Sequence, residues 1–371
     1  MKRVYSFIVV LLALTILSGC NDNSGEKGKA SGPAQQKQEV SKKPEASNQP
    51  AETKKTEETK TPDVPQKSAS DYIKTVQMKS KSLANNIVNE PLERTFYVCL
   101  PPSYNDSDKK YPVVYYLHGH SEMVNEFPNA WFPKLFTEFE TGAKEFILVC
   151  VDGLSNMGGA FYANSPVSGN WEDYVVKDVV SYIDKNYRTI ADCKSRGICG
   201  FSMGGFGAYN LAFRHPDKFC AVLSMSPGAL ADNDLASAME SWGGDTSFLI
   251  SYGRAFSPKL KDKEKKYANI PTMDNSVADK KIVKQWENGF GNLNKKLDDY
   301  LALNTPLKAI KIIYGTADSY EWIPRGCEFL AKCMDKRKIK YEIQSHSLAH
   351  TFPTDVIEGQ IVPFFDKNLV Y

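Results

Sequence analysis

The chain has 371 residues, 42% of them apolar and 24% charged, with a formal net charge of +2. That apolar content suffices for one large core or two small ones. The near-balance of charge excludes nucleic acid as the main partner, which demands a clustered basic face.

At the N-terminus Lys2 and Arg3 precede the apolar run Val4 to Leu17, and then comes Leu17-Ser18-Gly19-Cys20. A basic start, a short apolar stretch and small residues before a cysteine predict a secretory leader over 1–19. At about 14 residues the run falls short of the roughly 20 that span a bilayer. Leu, two small residues and Cys resemble the cleavage site of bacterial lipoproteins. That resemblance implies Cys20 as the lipidated first residue of the mature chain. Two or more acyl chains hold a protein stably on a membrane, so the expected location is extracytoplasmic, tethered to the cell or outer membrane through Cys20. From there to residue 70 the chain is Lys, Glu, Pro, Gln, Ser and Thr with almost no apolar residue. Such a segment buries too little surface to offset its ordering entropy, so 20–70 is expected to be a disordered linker and 71–371 the folded domain.

Seven cysteines follow Cys20, an odd number that leaves at least one unpaired in an exported chain. Cys99, Cys150, Cys199 and Cys220 stand in apolar runs, where cysteine acts as a small buried hydrophobe. Cys193 could pair with Cys327 or Cys333. No Cys/His spacing suggests zinc.

From residue 71 strand-like and helix-like patterns alternate. Strand-like runs are 95–100, 113–117, 146–151, 197–199, 220–223, 310–314 and 341–343. Several are apolar throughout, which marks strands buried on both faces, as in a parallel sheet covered by helices. Helical periodicity spans 171–187 and 325–338, and a final helix near 355–369 is expected to kink at Pro363. Residues 231–305 break the rhythm, separating two strands by far more than a usual connection. They hold Trp242, Trp286 and the charge run 259–266, and read either as a cap over a pocket or as a structural connector with a solvated face. The alternation predicts an α/β doubly wound sheet with its active groups at the carboxyl ends of strands.

Gly200-Phe201-Ser202-Met203-Gly204 sits between the apolar run ending at Cys199 and the small-residue stretch Gly205-Phe206-Gly207-Ala208. The pattern predicts strand, sharp turn and helix with Ser202 at the apex, where the flanking glycines relieve crowding. A serine nucleophile needs a base and a third group that orients it. Of five histidines, His118 and His120 precede the serine and His215 follows its helix. His346 continues the last strand, and His350 stands in the loop after it, where the base is expected. For the acid, Gly315-Thr316-Ala317-Asp318 ends a central strand and makes Asp318 the choice, with Glu321 as competitor. The oxyanion needs two backbone donors. The amide of Met203 opens the helix, and the amide of His120 follows the turn at Gly119. Reading His118 and His120 as metal ligands finds no third ligand at a suitable spacing.

Tyr115-Tyr116-Leu117-His118-Gly119-His120, Val151-Asp152-Gly153, Gly200-Phe201-Ser202-Met203-Gly204-Gly205, Arg214-His215-Pro216-Asp217-Lys218-Phe219, Ser224-Met225-Ser226-Pro227-Gly228 and Gly315-Thr316-Ala317-Asp318 together resemble a family of α/β-hydrolase esterases. That family includes esterase D (S-formylglutathione hydrolase), feruloyl and acetylxylan esterases and the mycolyltransferase antigens. The resemblance covers about residues 85 to 370. It implies an α/β-hydrolase fold, a mostly parallel sheet with helices on both faces and a long insertion before the acid-bearing strand. It implies Ser202 as nucleophile, Asp318 as acid and His350 as base, with the His120 and Met203 amides as oxyanion donors and no cofactor or metal. The expected activity is hydrolysis of carboxylic esters through an acyl-enzyme, with a small-molecule or polysaccharide ester as substrate and acetyl or feruloyl groups on polysaccharides in view. Acyl transfer to an envelope sugar and a non-catalytic glycan- or protein-binding role are the alternatives.

Overall fold

In the computed structural model, which describes residues 67–371, the first strand, β1 (Ile73–Lys79), pairs antiparallel with β2 (Glu93–Cys99), setting Val76 opposite Phe96. Then follow β3 (Val113–Leu117), β4 (Ile147–Val151), β5 (Arg196–Phe201), β6 (Ala221–Met225), β7 (Ala309–Gly315) and β8 (Glu342–His346). The eight form one sheet in the order β1-β2-β4-β3-β5-β6-β7-β8. β2 runs antiparallel to β4, and from β4 to β8 every pairing is parallel. β3, β4, β5 and β6 are buried at every position. Each fully buried Val, Ile or Leu there contributes about 1.5–3 kcal/mol relative to exposure.

The helices around the sheet are α1 (Glu126–Glu140), α2 (171–186), α3 (Met203–Arg214), α4 (Leu235–Trp242), α5 (Thr246–Phe256), α6 (Val277–Glu287), α7 (Leu293–Ala302), α8 (Trp322–Lys336) and α9 (356–368). α2 widens into π-helical turns over Tyr174–Val179. In α9 the expected kink is a change of register: π-helical turns over Val356–Ile361 give way to an α-helical segment from Val362, with Pro363 in its first turn.

Residues 231–305 fold into α4 to α7. Trp242, Tyr252, Trp286 and Phe290 form their aromatic centre, with Tyr252 4.8 Å from Trp286 and 5.0 Å from Phe290. The Tyr252 hydroxyl donates to the Trp286 carbonyl and accepts from the Phe290 amide. The charge run 259–266 is solvated, apart from a half-buried Asp262. All seven described cysteines are unpaired. The pairing of Cys193 with Cys327 or Cys333 is not formed: the latter two are fully buried in α8, while Cys193 is half-buried in the turn before β5. The expected leader, Cys20 and the linker up to residue 66 lie outside the described residues. Among the described residues no helix is long and apolar enough to cross a membrane.

The parallel register sets Leu117 beside Gly200, Phe201 beside Met225 and Gly315 beside His346. The segments leaving these strand ends, 118–122, 202–203, 226–228, 316–320 and 347–350, therefore gather at one edge.

Candidate active site

β5 runs straight into α3, and the single residue between them is Ser202, held at φ +55° and ψ −117°. A non-glycine residue there is strained by about 1–3 kcal/mol, and the surroundings must over-determine it. They do: the Ser202 amide donates to the Met225 carbonyl at 2.9 Å, and the Ser202 carbonyl accepts from the Phe206 amide at 3.0 Å. A Cβ on Gly204 would run into the Leu117 carbonyl, and one on Gly200 into that of Gly204. Both positions must therefore be glycine for the turn to pack on β3.

Facing Ser202 is His350, in the loop after β8. Its Nε2 lies 2.9 Å from Ser202 Oγ, and its Nδ1 lies 2.7 Å from Asp318 Oδ2. The Asp318 side chain is fully buried, and its other oxygen accepts the Tyr320 amide at 2.9 Å. A carboxylate only accepts, so Nδ1 carries the proton and Nε2 is left to accept from the serine hydroxyl. Phe201 and Tyr320 flank the imidazole, at 4.9 Å and 5.3 Å between ring centres. The two competitors lie outside this line. Glu321 is 86% exposed and stands 3.7 Å from Arg325. His346 closes β8, its Nδ1 accepting from the Leu348 amide.

Met203 and His120 border the same space. Met203 is the first residue of α3, whose leading amides have no acceptor within the helix and carry its positive dipole end. The His120 ring turns toward the inserted helices: Nε2 is 3.2 Å from Ser251 Oγ, and Phe248 packs 4.9 Å away. Burial pushes that imidazole below its usual range. His118 bonds to backbone on both nitrogens, and among the described residues no cluster of His, Cys, Asp and Glu could hold a metal ion.

The serine opens into a cavity of about 360 Å³, whose wall includes His120, Trp242, Phe248, Tyr320 and Trp322. The insertion thus supplies one side of the pocket. Tyr162, Trp171 and Trp286 are fully buried core and take no part in that wall. Two carboxylates that sequence reasoning passed over also border the cavity. Burial pushes Glu122 above its usual range, although it accepts the Gly119 amide. Burial also pushes Asp245 upward, but the Ser247 hydroxyl and the Phe248 amide together draw it below its usual value. Only the spacing of Glu122, three residues past Gly119, hinted at its place. A larger cleft of about 490 Å³, lined by Arg214, Lys296 and Tyr300, lies at the other end of α3.

Known proteins resemble this chain in sequence and in fold. An esterase of Mycobacterium tuberculosis is 33% identical over 161 residues, 42% of this chain and 34% of its own length. The endo-1,4-beta-xylanase/feruloyl esterase of Xylanibacter ruminicola is 29% identical over 133 residues, 34% of this chain and 18% of its own. The chain thus spans about a third or less of these two relatives. Among solved structures a ferulic acid esterase superposes with a TM-score of 0.54 at 23% identity, covering 80% of this chain and 97% of that one. An S-formylglutathione hydrolase from Agrobacterium tumefaciens gives 0.54 at 17%, covering 80% and 95%. These likenesses show the α/β-hydrolase fold. The family model described as "Putative esterase" matches residues 90–299, more than half of the chain, and the chain belongs to that family.

Proposed function

We propose that the protein is a serine carboxylic ester hydrolase working through an acyl-enzyme. The observation that carries this reading is the unbroken line from Asp318 through His350 to Ser202, at 2.7 Å and 2.9 Å. His350 Nε2 takes the serine proton as Oγ attacks the ester carbonyl, and Asp318 keeps the imidazole in the accepting tautomer and stabilises the imidazolium. The amides of Met203 and His120 receive the developing oxyanion. His350 then returns its proton to the departing alcohol, and water repeats the cycle on the acyl-enzyme.

The aromatic wall of Trp242, Phe248, Tyr320 and Trp322 favours a flat, largely apolar acyl or alcohol group. Together with the feruloyl esterase among the relatives it supports feruloyl or related aromatic esters on polysaccharides, with acetyl esters as the smaller option. Carboxylates on the rim argue against an anionic substrate. Acyl transfer to an envelope sugar is the second reading, because the cavity beside Ser202 has room for an alcohol in place of water. The lipoprotein-like segment ending in Cys20 supports an extracytoplasmic, lipid-anchored location.

Turnover of p-nitrophenyl acetate, methyl ferulate and acetylated xylan by the purified protein tests the activity. Ser202→Ala is expected to lower kcat by up to about 10⁶, and a loss below tenfold would place the nucleophile elsewhere. Product analysis with an added sugar acceptor separates hydrolysis from transfer. Cys20→Ser is expected to release the protein from the membrane fraction, and retention there would remove the anchor from the account.

A further inference from the structure

The turn at Gly119 contains two peptide planes, and three of their four polar atoms are tied to the protein. In the plane joining residues 118 and 119, the carbonyl accepts the Tyr162 hydroxyl at 3.0 Å and the N–H donates to Glu122 Oε2 at 2.8 Å. In the plane joining 119 and 120, the Gly119 carbonyl lies 2.8 Å from His118 Nδ1. The fourth atom is the His120 N–H, for which no protein acceptor exists among the described residues. A trans peptide is planar, so its C=O and N–H point in opposite directions. Whatever fixes the Gly119 carbonyl therefore aims the His120 N–H.

The ring that fixes it is itself held in one tautomer. His118 is 2% exposed, and its Nε2 lies 2.8 Å from the Gly153 amide. An amide only donates, so Nε2 accepts, the proton sits on Nδ1, and Nδ1 donates to Gly119. Gly153 is steadied in turn by its neighbour Asp152, which accepts the Leu154 amide at 2.9 Å and pairs with Arg94.

We propose that the His118 imidazole is a positioning residue that, through the Gly119 carbonyl, aims the His120 N–H at the oxyanion. This rests on the reading of Ser202 as nucleophile and of the His120 amide as an oxyanion donor. Without the Nδ1–H the 119–120 plane is free to rotate, and the donor is lost part of the time. Because the oxyanion exists only in the tetrahedral state, the loss falls on kcat and not on KM.

Two near-isosteric amides separate the two ends of the ring. His118→Asn can place its amide nitrogen where Nδ1 stands and donate to Gly119. His118→Gln reaches the Nε2 position, answers Gly153 and leaves Gly119 without a donor. With p-nitrophenyl acetate, H118N is expected to keep kcat within about fivefold and H118Q to lose about 10–100-fold, somewhat less than deleting an oxyanion donor outright, both with KM nearly unchanged. Affinity for phenylboronic acid, which forms a tetrahedral adduct on serine, is expected to fall in H118Q by the same factor as kcat. Equal losses in the two variants, no loss in either, or a change confined to KM would overturn the proposal. Should H118Q not melt cooperatively, His118→Leu takes its place against H118N. Fluorophosphonate labelling of the wild type is the control: failure to label Ser202 defeats the underlying reading, whereas labelled Ser202 with indistinguishable His118 variants defeats this inference alone.

Discussion

Asp318→Asn keeps the side-chain volume and removes one acceptor. In the folded protein one carboxylate oxygen takes the Tyr320 amide at 2.9 Å and the other faces His350 Nδ1 at 2.7 Å. Asparagine has a single oxygen. The Tyr320 amide is backbone and fixed, so the asparagine oxygen answers it and the NH₂ turns to the imidazole. Two donors cannot bond, and the imidazole proton moves to Nε2, the atom that must accept from Ser202. The same tautomer change in a serine protease lowers kcat by about 10⁴, or about 5 kcal/mol. Full burial of the Asp318 side chain leaves no water to offer another acceptor, so a loss of about 10³–10⁴ is expected here. Asp318→Ala, which leaves the ring free to adopt either tautomer, is expected to be at least as active as the asparagine variant. Steady-state hydrolysis of p-nitrophenyl acetate measures both, with thermal melts to confirm folding. An asparagine variant within tenfold of the parent would refute the assignment of Asp318 and the tautomer argument together.

Phe248→Ala opens the wall between the insertion and His120, and is expected to lower kcat/KM for methyl ferulate about tenfold more than for p-nitrophenyl acetate; equal losses would show that the ring does not contact the aromatic group. Gly204→Ala drives a Cβ into the Leu117 carbonyl, so loss of soluble protein or of about 3 kcal/mol or more is expected, whereas a normal melt would contradict the close packing of α3 on β3. Glu172 is buried, which raises its carboxyl, but hydrogen bonds from His215 and Arg214 hold it below its ordinary 4.5. Its contribution is therefore complete above pH 4.5 and is lost as pH falls through the lower folded value. Glu172→Gln is expected to cost about 1–3 kcal/mol at pH 7 and to flatten the acid side of the melting curve, and an unchanged acid slope would remove Glu172 as its source.

The parts of the fold that were legible in the sequence are those where burial leaves a mark. Runs such as Val113–Leu117 and Ile147–Val151, apolar at every position, give away strands covered on both faces. β1 was passed over because it is an edge strand: Ile73–Lys79 carries two lysines and buries only Val76 fully. α1 was missed as well, its pattern broken by Pro128 and Pro133. Within the site, Ser202 and His350 could be read from their places in the strand–turn–helix order. Asp318 against Glu321 could not, because both follow β7 and only the fold buries one and exposes the other. The aromatic residues could not be sorted for a related reason. Trp171 and Trp242 look alike in sequence, and whether a ring faces core or cavity depends on helices far apart along the chain. His118 was weighed only as a base or a metal ligand, since its hydrogen bond with the Gly153 amide exists only once β3 and β4 lie side by side.

The central claim is that ester cleavage passes through a covalent bond to Ser202 made possible by His350. Rapid-quench mass spectrometry of the intact protein with p-nitrophenyl acetate, followed by peptide mapping, tests it most directly. An added acetyl group on the peptide that contains Ser202, formed in the parent and lost in His350→Ala, is the result expected. Turnover with no adduct on that serine, or undiminished acylation without His350, would contradict the account.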